Sequence, residues 1–139
     1  MKRHAALLPL SREHHSALIL AQLIKKDAPA YRGMPTDTQG KLNYAVAFFE
    51  TDLIEHFYKE EIILEKVKHA NVEIETLSKE IIAEHSALKN HFVQLKTAID
   101  KIAALDELGK LLEAHIRKEE RVLFPLIQEH CSEALLAHL

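Results

Sequence analysis

The sequence predicts an all-α protein, an antiparallel up-down-up-down four-helix bundle. Three observations predict it. Four long stretches repeat apolar residues at helical spacing. Only 3 Gly and 4 Pro occur in 139 residues, which leaves little room for the turns of a β-protein. Leu, Ile, Ala, Glu and Lys dominate, a composition that favours helix. The length fits one domain over residues 1–139, and 47% apolar residues can fill its core.

The first helix is expected from about Ser11, a candidate N-cap after Pro9, to Lys26. Asp27 to Pro35 holds two Pro and a Gly and reads as a loop. A second helix starts near Thr36 or Asp37 and runs to about His69, with Gly40 near its start. A third begins between Asn71 and Ser78 and ends near Ala103. The fourth, capped by Asp106, reaches about Glu129, with Pro125 bending its last turns. Cys131 to Leu139 adds a short helix. Short connections make neighbouring helices antiparallel.

Composition excludes several function classes. The net charge is -3 and no basic run marks a nucleic-acid surface. No apolar run approaches membrane-spanning length, and the apolar stretch after Met1, Lys2 and Arg3 is too short for a signal peptide. The single Cys131 rules out an intramolecular disulfide and fits a reducing, cytoplasmic setting. Ten His is the abnormal number, because His is a common metal ligand.

Two of these His open a nine-residue repeat. His56 to Leu64 is matched by His115 to Leu123, with five positions identical, and both copies place a Glu four residues after the His (Glu60, Glu119). On a helix that spacing stacks imidazole and carboxylate on one face, half of a site for iron, manganese or zinc. The whole chain reads as two such halves. Glu13-His14 opens one and Glu84-His85 holds the equivalent place in the other.

Helical phase says where these groups point. Leu42, Ala45, Phe49, Leu53, Ile63 and Val67 form one stripe of the second helix, with His56 and Glu60 in its middle. Leu108, Leu111, Leu112, Val122 and Leu126 do the same around His115 and Glu119 on the fourth. Glu61 and Glu120 rotate to the flank, where replacing them should leave metal content unchanged. His85 borders the third helix's stripe of Ile81, Leu88, Phe92, Leu95 and Ile99. On the first helix, the buried side of Ala17, Leu18, Leu20, Ala21 and Ile24 is bordered by His14, while His15 falls nearly opposite. Phase therefore selects His14, although aligning Ser16-Ala17-Leu18 with Ser86-Ala87-Leu88 favours His15. His91 points away from the third helix's stripe, and His4, His69, His130 and His138 lie near segment ends; all five read as surface residues. Burying an unpaired carboxylate costs several kcal/mol, and two together repel. Against a net stability of about 5–15 kcal/mol, a cation must compensate them. Four His and two Glu suit two ions better than one zinc.

These residues resemble the hemerythrin-like, His-His-Glu cation-binding domain. The signals are Glu13-His14, His56-x-x-x-Glu60, Glu84-His85 and His115-x-x-x-Glu119, followed by Leu123-Phe124-Pro125-Leu126. The resemblance runs from about Leu10 to Gln128. It implies a four-helix bundle around two Fe ions, bridged by Glu60 and Glu119, with His14, His56, His85 and His115 as terminal ligands. Oxygen-carrying hemerythrins use five His, two of them four apart on the third helix. Here the partners of His85 are Ile81 and Lys89. The four-His, two-Glu set is instead similar to di-iron proteins linked to iron–sulfur cluster repair and nitric oxide stress.

The expected function is thus a module that binds or senses O2, NO or a related small ligand. The alternatives are an enzyme acting on peroxide or NO, or donating iron, and a bundle that binds zinc or no metal. Phe57, Tyr58 and Phe124 are expected at the surface, where they would permit a homodimer.

Overall fold

The computed structural model describes residues 2–139. The described residues contain helices and no strand. The first helix, α1, spans Leu8–Leu23. The second long helix is built from α2 (Thr38–Phe48), a π-helical turn (Phe49–Leu53) and α3 (Ile54–Val67). The third is α4 (Val72–Gln94), which ends in a 3-10 turn at Leu95–Thr97. The fourth joins α5 (Lys101–Lys118), a π turn (Glu119–Leu123) and α6 (Phe124–His130). A short α7 (Glu133–Leu136) closes the chain, as expected. Contacts run α1 to α3, α3 to α4, α4 to α5 and α5 back to α1. That ring is the expected antiparallel bundle.

Side-chain caps explain most helix starts. Asp37 accepts from the Gly40 N–H, Asn71 from the Glu73 and Ile74 N–H groups, and Asp100 from the Ala103 N–H. Two expected boundaries move. α1 begins at Leu8 rather than Ser11, and the Ser11 hydroxyl instead donates to both Glu120 oxygens at 3.0 and 2.8 Å. The third helix stops at Thr97, and Asp100, not Asp106, caps the fourth. Asp106 sits within α5 and accepts the Lys26 N–H at 3.0 Å, satisfying a backbone donor just beyond α1. Ile99, expected in the core, therefore lies in the connection and is fully exposed. The irregularity expected at Pro125 takes the form of the wide turn Glu119–Leu123 directly before it, since Pro has no N–H to return to a carbonyl. A second wide turn, at Phe49–Leu53, carries no mark in the sequence. There the Thr51 hydroxyl donates to the Ala47 carbonyl at 2.9 Å.

One glycine brings two helices together. A Cβ on Gly109 of α5 would stand 2.6 Å from the Ala21 carbonyl oxygen of α1. Gly109 lets the two backbones touch, which outweighs its poor helix propensity of about 1 kcal/mol relative to Ala. In the loop after α1, Gly33 has φ 77°, a left-handed conformation that suits Gly.

The core is two apolar clusters separated by a polar layer. One cluster holds Ala17, Leu20, Phe49, Leu53, Leu88, Phe92, Leu108 and Leu112. The other holds Leu10, Ile63, Val67, Ile74, Ile81, Leu123 and Ile127. Leu111 and Val122, expected inside, are 40% and 44% exposed, so the fourth helix is rotated slightly from its predicted phase. No helix among the described residues is long and apolar enough to cross a membrane.

Candidate metal centre

The layer between the clusters is made of the predicted residues. His14, His56, Glu60, His85, His115 and Glu119 are all at most 3% exposed. Each interrupts the apolar stripe of its helix at one level: His14 between Leu10 and Ala17, His85 between Ile81 and Leu88. His15 is exposed, so helical phase was the better guide on α1 and the Ser-Ala-Leu alignment was off by one residue.

The donors converge in two groups. One atom each of Glu60, His85, His115 and Glu119 lie within 4.8 Å of one another, as do atoms of His14, His56 and Glu60. Glu60 belongs to both. Its two oxygens face separate rings, Oε2 lying 3.1 Å from His14 Nε2 and Oε1 3.1 Å from His85 Nε2. Glu119 Oε1 lies 2.6 Å from His115 Nε2 and 3.7 Å from His14 Nε2.

Every Nε2 of the four imidazoles turns inward because every Nδ1 is held from outside. His14 Nδ1 donates to Glu120 at 2.6 Å, and His56 Nδ1 to Glu13 at 2.7 Å. His85 Nδ1 donates to Glu61 at 2.9 Å, and His115 Nδ1 to Glu84 at 2.8 Å. An ionised carboxylate only accepts, so Nδ1 must carry the proton and Nε2 keeps its lone pair when the ring is neutral. These four carboxylates were missed as functional residues. Glu61 and Glu120 do lie on the flank, as phase predicts, and from there they reach across to the imidazoles of His85 and His14 on neighbouring helices. The sequence signal was present: each outer Glu is adjacent to an inner donor, Glu13 and Glu84 before a His, Glu61 and Glu120 after a Glu.

A further ring of contacts steadies this arrangement. Lys59 pairs with Glu13 at 2.7 Å and Lys118 with Glu84 at 2.8 Å. Arg3 pairs with Glu120 at 3.1 Å and lies over the Phe124 ring, which itself stacks on His14. Phe57 stacks on His85 with ring centroids 4.2 Å apart. Phe57 and Phe124, expected at the surface, are thus buried walls of the site; of the three only Tyr58 is exposed.

The electrostatics describe a pocket short of positive charge. Burial opposes a charged His14, but hydrogen bonds to Glu120 and Glu60 outweigh it and raise its pKa to about 10. Burial likewise opposes a charged His115, and Glu119 and Glu84 still raise it to about 9. Burial and the charge of Glu60 push Glu119 well above the usual carboxylate range. Burial opposes ionisation of Glu60 too, yet Glu119 and the imidazoles of His14, His56 and His85 hold it well below that range. Without a cation, protons take its place.

Protons do not satisfy everything. His56 Nε2, His115 Nε2 and both Glu119 oxygens are buried with no hydrogen-bond partner, their near neighbours being off bonding geometry. Leaving such groups unmade costs about 1–3 kcal/mol each, more for charged groups. Imidazole nitrogen and carboxylate oxygen together are a donor set that suits divalent iron, manganese or zinc. The residues present fit a cation.

Comparison with protein families matches residues 7–127 to the hemerythrin HHE cation binding domain. Comparison with curated proteins and with solved structures gave no match.

Proposed function

The chain belongs to the hemerythrin family of HHE cation-binding domains, and on that premise we propose that it holds two iron ions in its polar layer and there binds or senses O2, NO or a related small ligand. His14, His56 and Glu60 would hold one ion, and His85, His115 and Glu119 with Glu60 the other. Glu119, 3.7 Å from His14 Nε2, would lie within reach of both ions. The observation that carries this reading is the set of partnerless atoms, His56 Nε2, His115 Nε2 and the Glu119 oxygens, sealed inside an otherwise close-packed core.

Bound iron supplies a redox-active cation with exchangeable coordination positions. The chain's own residues do the rest. Glu13, Glu61, Glu84 and Glu120 fix each imidazole's tautomer and orientation. Phe57 and Phe124 cover His85 and His14 and keep bulk water out. Neither Ile81, one turn before His85 and fully buried, nor Lys89, one turn after it, is the fifth His of oxygen carriers, which favours sensing or transient binding over oxygen storage.

Metal analysis with an optical spectrum, on protein produced with ample iron in air, tests this. About two irons per chain are expected, with a sharp loss in Glu60→Ala, Glu119→Ala and His14→Ala and none in His15→Ala. Mixing the ferrous protein with O2 or NO should give a spectral change in stopped flow. A chain that takes up only zinc, or two irons inert to both gases, would overturn the reading.

A further inference from the structure

Two pockets reach the polar layer, and the internal repeat makes them equivalents of one another. One lies between α1 and α3, about 190 Å³, and includes Glu13, Ser16, Asp52, Glu55, His56 and Lys59. The other lies between α4 and α5, about 230 Å³, and includes Glu84, Ala87, Leu111, Ala114, His115 and Lys118. Phe48, Thr51 and Leu53 line only the first pocket; the six residues named for each pair one for one when the two halves are aligned in sequence. The Glu, the His and the Lys are the same in both. The remaining three differ, and all in one direction: Ser16 becomes Ala87, Asp52 becomes Leu111, and Glu55 becomes Ala114.

The consequence is two doors of opposite chemistry onto one centre. The α1/α3 pocket carries three carboxylates against one lysine. The α4/α5 pocket retains only the Glu84–Lys118 ion pair, and Leu88 adds to its apolar wall. His115 lines it as His56 lines the other, and the Nε2 of each ring is a partnerless buried atom. Ala87 and Ala114 are exposed small residues, so the pocket exists because nothing larger stands there. Ions and water are drawn to the polar door. An uncharged, weakly hydrated molecule loses nothing by leaving water for the apolar one.

We infer that the α4/α5 pocket is the entry and docking site for a small apolar molecule, of the class of O2 and NO, on its way to the centre beside His115. The inference rests on the reading of that centre as gas-binding, and it is tested separately from it. Dissolved O2 is paramagnetic and broadens the NMR signals of amides it visits. In protein from iron-depleted medium, broadening should be greater at Ala87, Leu88, Ala114 and His115 than at their equivalents Ser16, Ala17, Glu55 and His56. Ala114→Glu, which installs the residue of the equivalent position, should abolish that difference. Ala114→Phe, which fills the pocket from an exposed position, should slow the reaction of the iron-loaded protein with NO by about tenfold without changing iron content. Glu55→Phe, in the polar pocket, should leave the rate within about twofold. Equal broadening at the two pockets, or equal rates in the two Phe variants, would overturn the assignment. Broadening at the α4/α5 pocket in a protein whose iron reacts with neither gas would keep the pocket and retire the gas-binding reading of the centre.

Discussion

At the scale of single residues, the centre is held by eight cross-braced groups and not by six donors alone. Each imidazole is gripped at Nδ1 by a carboxylate from another helix, and two of these grips join the two halves of the repeat: Glu61 to His85 and Glu120 to His14. Removing one grip frees a ring to rotate and destroys its tautomer preference. Glu84→Ala and Glu61→Ala should each weaken metal affinity about 10- to 100-fold, measured by chelator competition, while helix content stays the same. The raised pKa values of His14, about 10, and His115, about 9, carry a second expectation. At pH 7 both rings are charged in the metal-free protein, so loading must displace protons. A pH indicator in weak buffer should register their release on adding ferrous or zinc ion at neutral pH; no release would mean that the centre is already deprotonated. The inner donors were legible because a stripe of apolar side chains broken by His and Glu at one level has few other meanings. The outer carboxylates were not, because their role depends on which neighbouring helix stands opposite, and periodicity along one helix cannot supply that.

At the scale of elements, the four helices were legible and their joints were less so. Thr97 to Ala104 contains no Gly or Pro, and Asp100 and Asp106 compete as caps. Tertiary demand decides: Asp106 is taken by the Lys26 N–H, leaving Asp100 to cap α5. Asp100→Ala should cost about 1 kcal/mol in chemical denaturation with no change in metal content. The wide turns at Phe49–Leu53 and Glu119–Leu123 have no compositional mark beyond Pro125. Between α1 and α5, Glu113 of α5 binds Lys25, Arg117 and Gln22, with Lys25 the main cause of a pKa lowered to about 2 from 4.5. A carboxyl group whose folded pKa is depressed stabilises fully above its unfolded pKa and progressively less as pH falls through the folded one. This contribution is therefore present above about pH 4.5 and is lost between 4.5 and 2. Glu113→Gln should flatten that part of the acid-unfolding curve, followed by circular dichroism.

At the scale of the molecule, the polar layer divides one core into two apolar halves, and the stability of the whole depends on what compensates it. A cation that binds only the folded chain raises its stability by mass action. The iron-loaded protein should melt at a higher temperature than the metal-free one at pH 7; identical Tm values would separate the site from folding. Acid should erase the difference, since protons then compete for the same imidazoles. Gly109 acts on the same scale. It sits six residues before His115 and against Ala21, seven residues after His14, so the contact it permits sets how far apart those two imidazoles stand. A methyl group there would prise α1 from α5 like a wedge. The centre would then be a looser gauge of ionic radius, and Gly109→Ala should shift its preference among divalent ions toward larger ones such as manganese. A single missing methyl, about two turns from either imidazole, would in this sense help decide which ion the centre prefers.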